Sequence, residues 1–248
     1  MTKLSVNLNK IAILKNWRGK NFRDVQSFAT RCLELGAHGL TFQPRKNQKF
    51  ARYADIEPLA HLCKEYGGEL NVEGYPSVEF LNAVKQWQPA QCTLMADAVD
   101  PTGADYGWDI GKHANMLKEV IGELKAANIR TSLYVNFDYA NMAEARQVGA
   151  ERVKLCTQVC SAGYDTDKGK EDFAALQNAV ERAHNEGLGV SVGHDFNLEH
   201  LNGLLRLPDI REVSVGPAMI LESIQFGIDK VIGRYVKMVN AVKKLKSR

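Results

Sequence analysis

The sequence has no apolar run near the roughly 20 residues that a bilayer-spanning helix needs, and no Gly-, Ser- or Pro-rich stretch divides its 248 residues. A membrane protein and a pair of linked domains are set aside, and one domain spanning residues 1–248 is expected. Cysteine is scarce: Cys32, Cys63, Cys92, Cys156 and Cys160 are scattered and odd in number, which argues against a disulfide framework. With no signal-like segment ahead of Leu4, the reducing cytoplasm is the expected compartment. An excess of one charge is also missing. The formal net charge is +3, and the clearest basic run, Lys243, Lys244, Lys246 and Arg248, sits at the extreme C-terminus, so no nucleic-acid partner is expected. No G-x-G-x-x-G follows the first apolar run. His194 with Glu199 or His200 lacks a ligand spacing, and Cys156-x-x-x-Cys160 has no histidine close by. No metal and no cofactor are expected.

What is present is a repeat of alternations. Eight short β-like runs recur, each followed by an amphipathic stretch: Leu4–Asn9, His38–Pro44, Leu70–Glu73, Gln91–Asp97, Thr131–Phe137, Arg152–Thr157, Gly189–Val192 and Val213–Val215. Strand, crossover helix, strand connections imply a parallel sheet, and eight of them predict an α/β fold closed into a (β/α)₈ TIM barrel with extra helices. An open doubly wound sheet is the structural alternative. A long polar loop through Lys15, Arg18 and Lys20 is expected before a helix over Val25–Gly36. Long loops are also expected over Ala98–Lys112 and Gln158–Lys170, with helices over Ala114–Ala127 and Glu171–Asn185. Ser77 is read as a helix cap, and an apolar stripe continues from about Ile220 to Lys246.

Polar residues gather where these runs end: Asn7, Asn9 and Lys10; Gln43 and Arg45; Glu73; Asp97; Lys154 and Thr157; His194 and Asp195; Gly216. A barrel collects its chemistry at the C-terminal rim of its strands, so this register points to an enzyme. Glu73 is read as a general base or acid, since a carboxylate partly withdrawn from water titrates nearer neutrality; the plainer reading is a salt-bridged rim residue. His194, between Gly193 and Asp195, is read as a proton donor or relay, with a structural histidine as the alternative. Gly193 and Gly216 end the seventh and eighth runs, where barrels often hold phosphate on backbone N–H groups. With Arg18 and Arg45 nearby, a phosphorylated small molecule is the expected partner. Lys10 and Lys154 can each hold an anion or, if desolvated, form a Schiff base with a carbonyl; the bland reading of Lys154 is a pair with a nearby carboxylate.

The runs Ser5-Val6-Asn7-Leu8-Asn9-Lys10-Ile11-Ala12-Ile13-Leu14-Lys15-Asn16-Trp17-Arg18-Gly19, Gly39–Arg45, Leu70–Glu73, Val192-Gly193-His194 and Val215–Ile220 together resemble the pyridoxine 5′-phosphate synthase family. The resemblance implies a (β/α)₈ barrel that assembles as dimers and octamers. It also implies condensation of 1-deoxyxylulose 5-phosphate with 3-amino-2-oxopropyl phosphate, closing a pyridine ring with release of phosphate and water. It places Asn7, Arg18 and Arg45 at substrate-binding positions, Glu73 and His194 at acid/base positions, and Gly193 and Gly216 where the family holds phosphate. The chain departs from that pattern at several points. The family's Asp-His pair is Asn9-Lys10 here, its second-strand histidine is Gln43 and a loop histidine is Phe50. A strand-six carboxylate is Lys154, His-Thr-Gly is Cys156-Thr157-Gln158, and the histidine of a final Gly-His is Pro217. Glutamine cannot shuttle a proton as imidazole does, and lysine for a carboxylate reverses the local charge. Two further readings therefore stand beside the family reaction: a changed condensation or lyase reaction, and a silent barrel that only binds a phosphorylated ligand.

Overall fold

The computed structural model describes residues 2–16, 23–96, 107–157, 166–194 and 196–246. Arg18, Asp97, Cys160 and Asp195 lie outside them. Eight parallel strands close in sequence order: β1 (Lys3–Asn7), β2 (Gly39–Phe42), β3 (Glu69–Gly74), β4 (Gln91–Leu94), β5 (Arg130–Asn136), β6 (Arg152–Cys156), β7 (Gly189–His194) and β8 (Ile210–Val215). Pairing of β8 back onto β1, with Val6 opposite Val215, excludes the open doubly wound alternative. Around the strands run α1 (Asn9–Asn16), α2 (Arg23–Glu34), α3 (Ile56–Glu65), α4 (Val78–Trp87), α5 (Ile110–Ala126), α6 (Met142–Gln147), α7 (Asp167–Asn185), α8 (Leu198–Arg206), α9 (Pro217–Phe226) and α10 (Ile228–Lys246).

Alternation along each strand sorts side chains to two faces. Leu4, Val6, Leu40, Phe42, Leu70, Val72, Leu133, Val135, Val153, Leu155, Val190, Val192, Val213 and Val215 are buried and join the helices in the hydrophobic core. Each such side chain contributes about 1.5–3 kcal/mol on burial. The other face is polar. Hydrogen bonds between strands that are not neighbours, Ser214 to Thr41 at 3.3 Å and Arg130 to Glu69 at 2.7 Å, cross the barrel interior. Barrel interiors are usually filled by branched apolar residues; here Ser5, Thr41, Asn71, Thr93, Ser132, Lys154, Ser191 and Ser214 are buried.

The N-terminal end of that interior carries an ionic network. Glu69 pairs with Lys3 at 2.5 Å and Arg130 at 2.7 Å, while Gln91 Oε1 accepts from Arg130 at 2.9 Å and Arg152 at 3.0 Å. Burial pushes the Glu69 carboxyl up, but hydrogen bonds from Arg130 and Lys3 outweigh it and hold the group at about 2. Glu212, 3.8 Å from Arg152, is pushed above the ordinary carboxylate range by burial. Burial and then repulsion from Arg130 lower the Arg152 guanidinium.

Several expected boundaries move. The stretch after β1 is a helix, α1, because Ile11 and Ala12 find a buried face; Lys10 therefore lies on a helix, exposed, and not at a strand end. β2 stops at Phe42, before Pro44, which has no N–H for the ladder. β4 stops at Leu94, short of the expected Asp97. β7 continues to His194, and β8 begins at Ile210. Helix α5 starts at Ile110, where Asp109 accepts from Lys112 N, and α7 starts at Asp167, where Thr166 accepts from Gly169 N, so both helices begin earlier than expected. The C-terminal apolar stripe is split at Gly227, whose φ of +83° breaks α9 from α10. Ser77 caps α4 as expected, accepting from Phe80 N.

Candidate active site at the C-terminal strand ends

Asn71 and Glu73 lie two residues apart on β3 and so share its inner face. Asn71 Nδ2 donates to Glu73 Oε1 at 2.9 Å, and Thr93 Oγ1 on β4 donates to Asn71 Oδ1 at 2.8 Å, which fixes the amide. From β6, Lys154 extends across the interior and donates to the same Glu73 Oε1 at 2.5 Å. Both side chains are nearly fully enclosed, at 3% and 4% exposure. Removing either partner of such a pair strands a buried charge, at a cost of about 3–5 kcal/mol. Among the described residues, Glu73 Oε2 accepts no hydrogen bond. The carboxylate is thus held by one oxygen.

Asn9 and Gln43 form a reciprocal clamp: Asn9 Nδ2 donates to Gln43 Oε1 at 3.1 Å, and Gln43 N donates to Asn9 Oδ1 at 2.8 Å. Gln43 Nε2 donates to Met95 Sδ at 3.0 Å, so this side chain is committed to the protein on both sides. Asn7, buried at the end of β1, accepts from Asn9 N at 3.0 Å. Arg45 is exposed on the loop after β2, where its backbone N–H donates to Ala51 O.

Thr157, buried just past β6, donates to Gly193 O at 2.6 Å. Gly193 has φ +128°, and a Cβ there would lie 2.0 Å from Ser214 O, so only glycine fits beside β8. His194 closes β7 in register with Val215. Gly216 precedes α9 without a side-chain cap, and Pro217 at its first turn has no N–H to satisfy. The helix after β7 differs. At α8, Asn197 Oδ1 accepts from His200 N at 2.9 Å, and Glu222 Oε1 accepts from Leu198 N at 3.1 Å. That N-terminus already holds a protein carboxylate, which leaves α9 as the more open of the two for an anion.

The structure therefore brings Glu73 and Lys154 together, joins Asn9 to Gln43, and ties Thr157 to Gly193. It sets Lys10 and Arg45 on the exposed surface. Sequence reasoning missed Asn71, Thr93 and Glu222. The first two were legible as alternate residues on runs already recognised; Glu222 carried no local signal, because its partners Leu198 and Tyr235 belong to other helices. Burial, and then the hydrogen bond to Glu222 at 2.7 Å, raises the Tyr235 hydroxyl above its ordinary range.

Closed parallel strands alternating with helices, with a buried Glu73–Lys154 ion pair toward their C-terminal ends, define a TIM-barrel protein. The fold is shared with a thiamine phosphate pyrophosphorylase from Pyrococcus furiosus, at 15% identity and TM-score 0.62 over 97% of this chain and 96% of that one. It is shared too with a tryptophan synthase structure from M. tuberculosis, at 11% identity and TM-score 0.66 over 96% and 92%. Sequence goes further. The chain belongs to the family of the pyridoxal phosphate biosynthesis protein PdxJ, whose model matches residues 4–241. It is 39% identical to the pyridoxine 5′-phosphate synthase of Christiangramia forsetii, over 96% of this chain and 100% of the relative. It is 38% identical to that of Allorhizobium ampelinum, over 94% and 96%. The protein is a pyridoxine 5′-phosphate synthase-like condensing enzyme. Among the described residues no helix is long and apolar enough to cross a membrane.

Proposed function

We propose that the chain condenses a phosphorylated amino-ketone with a phosphorylated ketose and closes a pyridine ring, the reaction that the family resemblance implies; its relatives are named pyridoxine 5′-phosphate synthases. The observation that carries this reading is the posture of Glu73, held at Oε1 by Asn71 and Lys154 with Oε2 unbonded among the described residues. A carboxylate so oriented suits proton abstraction from a carbon next to a carbonyl. His194 would donate or relay the proton. Asn7, Asn9, Lys10, Arg18, Arg45 and Thr157 would bind substrate, while Gly193, Gly216 and Pro217 would present backbone and the α9 N-terminus to a phosphate. A cytoplasmic homo-oligomer, dimer to octamer, made of one domain accords with the family resemblance.

A second reading is a changed condensation or a silent ligand-binding barrel. It is favoured by Gln43, which is bonded to Asn9 and Met95 and has no proton to exchange. Incubation with 1-deoxyxylulose 5-phosphate and 3-amino-2-oxopropyl phosphate, followed by mass spectrometry, separates the two. Formation of pyridoxine 5′-phosphate that falls about 100- to 10,000-fold in Glu73→Gln supports the first; no product from the folded wild type overturns it.

A further inference from the structure

We infer that Lys154 is an imine-forming amine, with Glu73 as the carboxylate that takes its proton and then faces the iminium. The partner is a small ketone or aldehyde bearing a phosphate or carboxylate. This rests on the C-terminal end of the barrel being the ligand-binding end, and not on which product is made there.

Lys10 and Lys154 are the two amines proposed for this chemistry, and the structure separates them. Lys10 is exposed on α1, where water solvates its ammonium. Lys154 is 2% exposed and reaches from β6 to β3, with Glu73 Oε1 at 2.5 Å as a proton acceptor in direct contact. An amine must shed a proton before it can attack a carbonyl, and a buried lysine beside a base is the usual way to supply one. A second observation points to a ligand in the same place. Ser191 stands beside Lys154 in the parallel register, and its hydroxyl is fully buried with no hydrogen-bond partner among the described residues. A buried hydroxyl left unpaired is costly. It adds an unpaired polar group on the strand next to Lys154.

The step balances within these groups. Glu73 takes a proton from the Lys154 ammonium, and the freed lone pair forms a C–N bond as the carbonyl π pair moves onto oxygen. Nitrogen loses a second proton to that oxygen, giving a neutral carbinolamine. Glu73 then returns its proton to the hydroxyl, which leaves as water while the nitrogen lone pair closes the C=N bond. Ammonium and carbonyl become iminium and water, and the carboxylate is restored. One positive charge faces one negative charge before and after, so the exchange adds no uncompensated buried charge.

Borohydride trapping tests this directly. The protein is incubated separately with 1-deoxyxylulose 5-phosphate, glyceraldehyde 3-phosphate and pyruvate, reduced with sodium borohydride, and read by intact mass and peptide mapping. The expected result is a single reduced adduct on the peptide containing Lys154. It should be absent in Lys154→Arg, which keeps a cation beside Glu73 and is checked for folding by circular dichroism, and should form about 100-fold more slowly in Glu73→Gln. No adduct in any of the three incubations, or one that persists in folded Lys154→Arg, overturns the inference. Because the readout is a covalent mass and not turnover, failure to make pyridoxine 5′-phosphate leaves it standing, and success there does not establish it.

Discussion

The two ends of the barrel interior are both charged, yet they are built differently. At the N-terminal end Glu69 is shared by Lys3 and Arg130, and Gln91 is shared by Arg130 and Arg152. Glu69 and Gln91 each hold two cations, and such a network serves cohesion. Toward the C-terminal end Glu73 meets one cation, Lys154, through one oxygen, with Asn71 and Thr93 steadying it from below. A carboxylate with a spare oxygen is poor use of a buried charge for stability and good use for chemistry. Glu69 thus meets two cations through both oxygens, whereas Glu73 meets one cation through one, and the proposed function gives the two carboxylates different roles.

The largest effect that would sharpen this contrast comes from replacing the C-terminal pair by apolar residues. Lys154→Met alone should cost about 3–5 kcal/mol in urea unfolding, whereas Glu73→Leu with Lys154→Met should return to within about 2 kcal/mol of the wild type. The double variant should still lose at least about 100-fold in product formation. Recovered turnover would mean that the pair is only structural.

At the other end, Glu69→Gln should cost about 1–3 kcal/mol and leave turnover unchanged. Its pH dependence follows from the sign of the shift. The Glu69 carboxyl sits at about 2 when folded against an ordinary 4.5, so its contribution is complete above about pH 4.5 and is lost as pH falls toward 2. The stability gap between wild type and Glu69→Gln, followed by urea titration at stepped pH, should close over that window. A gap that widened on acidification would contradict the pairing.

The smallest expected effect lies at the rim. Tyr235→Phe removes the 2.7 Å bond to Glu222, which in turn accepts from Leu198 N. It should lower stability by about 1 kcal/mol and raise hydrogen exchange at the Leu198 amide. Unchanged exchange would show that α8 needs no such brace.

Much of the architecture was readable from the chain. Alternation in segments such as Leu70–Glu73 marks strands, and glycines such as Gly67 and Gly187, both at positive φ, mark helix ends. The placement of Glu73 near a strand end was readable for the same reason. Helix α1 was not, because Asn9 and Lys10 look like a strand's polar tip until Ile11 and Ala12 are buried. The near-total polarity of the barrel interior was also hidden, since residues such as Thr41, Thr93 and Ser132 look like a solvated face in any strand with one apolar side.

Local pattern thus accounts for the number of strands and their succession along the chain, because periodicity and turn chemistry act over a few neighbours, while several strand ends were set by packing. It could name Lys154 and Glu73 as candidates, each with a bland and a reactive reading. Their meeting at 2.5 Å joins positions 81 residues apart, and depends on barrel closure, strand tilt and the reach of one lysine. The same holds for Glu222 on Leu198 and for Gly193 against Ser214. Contacts of that kind come from packing in three dimensions, which a pattern acting over a few neighbours does not encode.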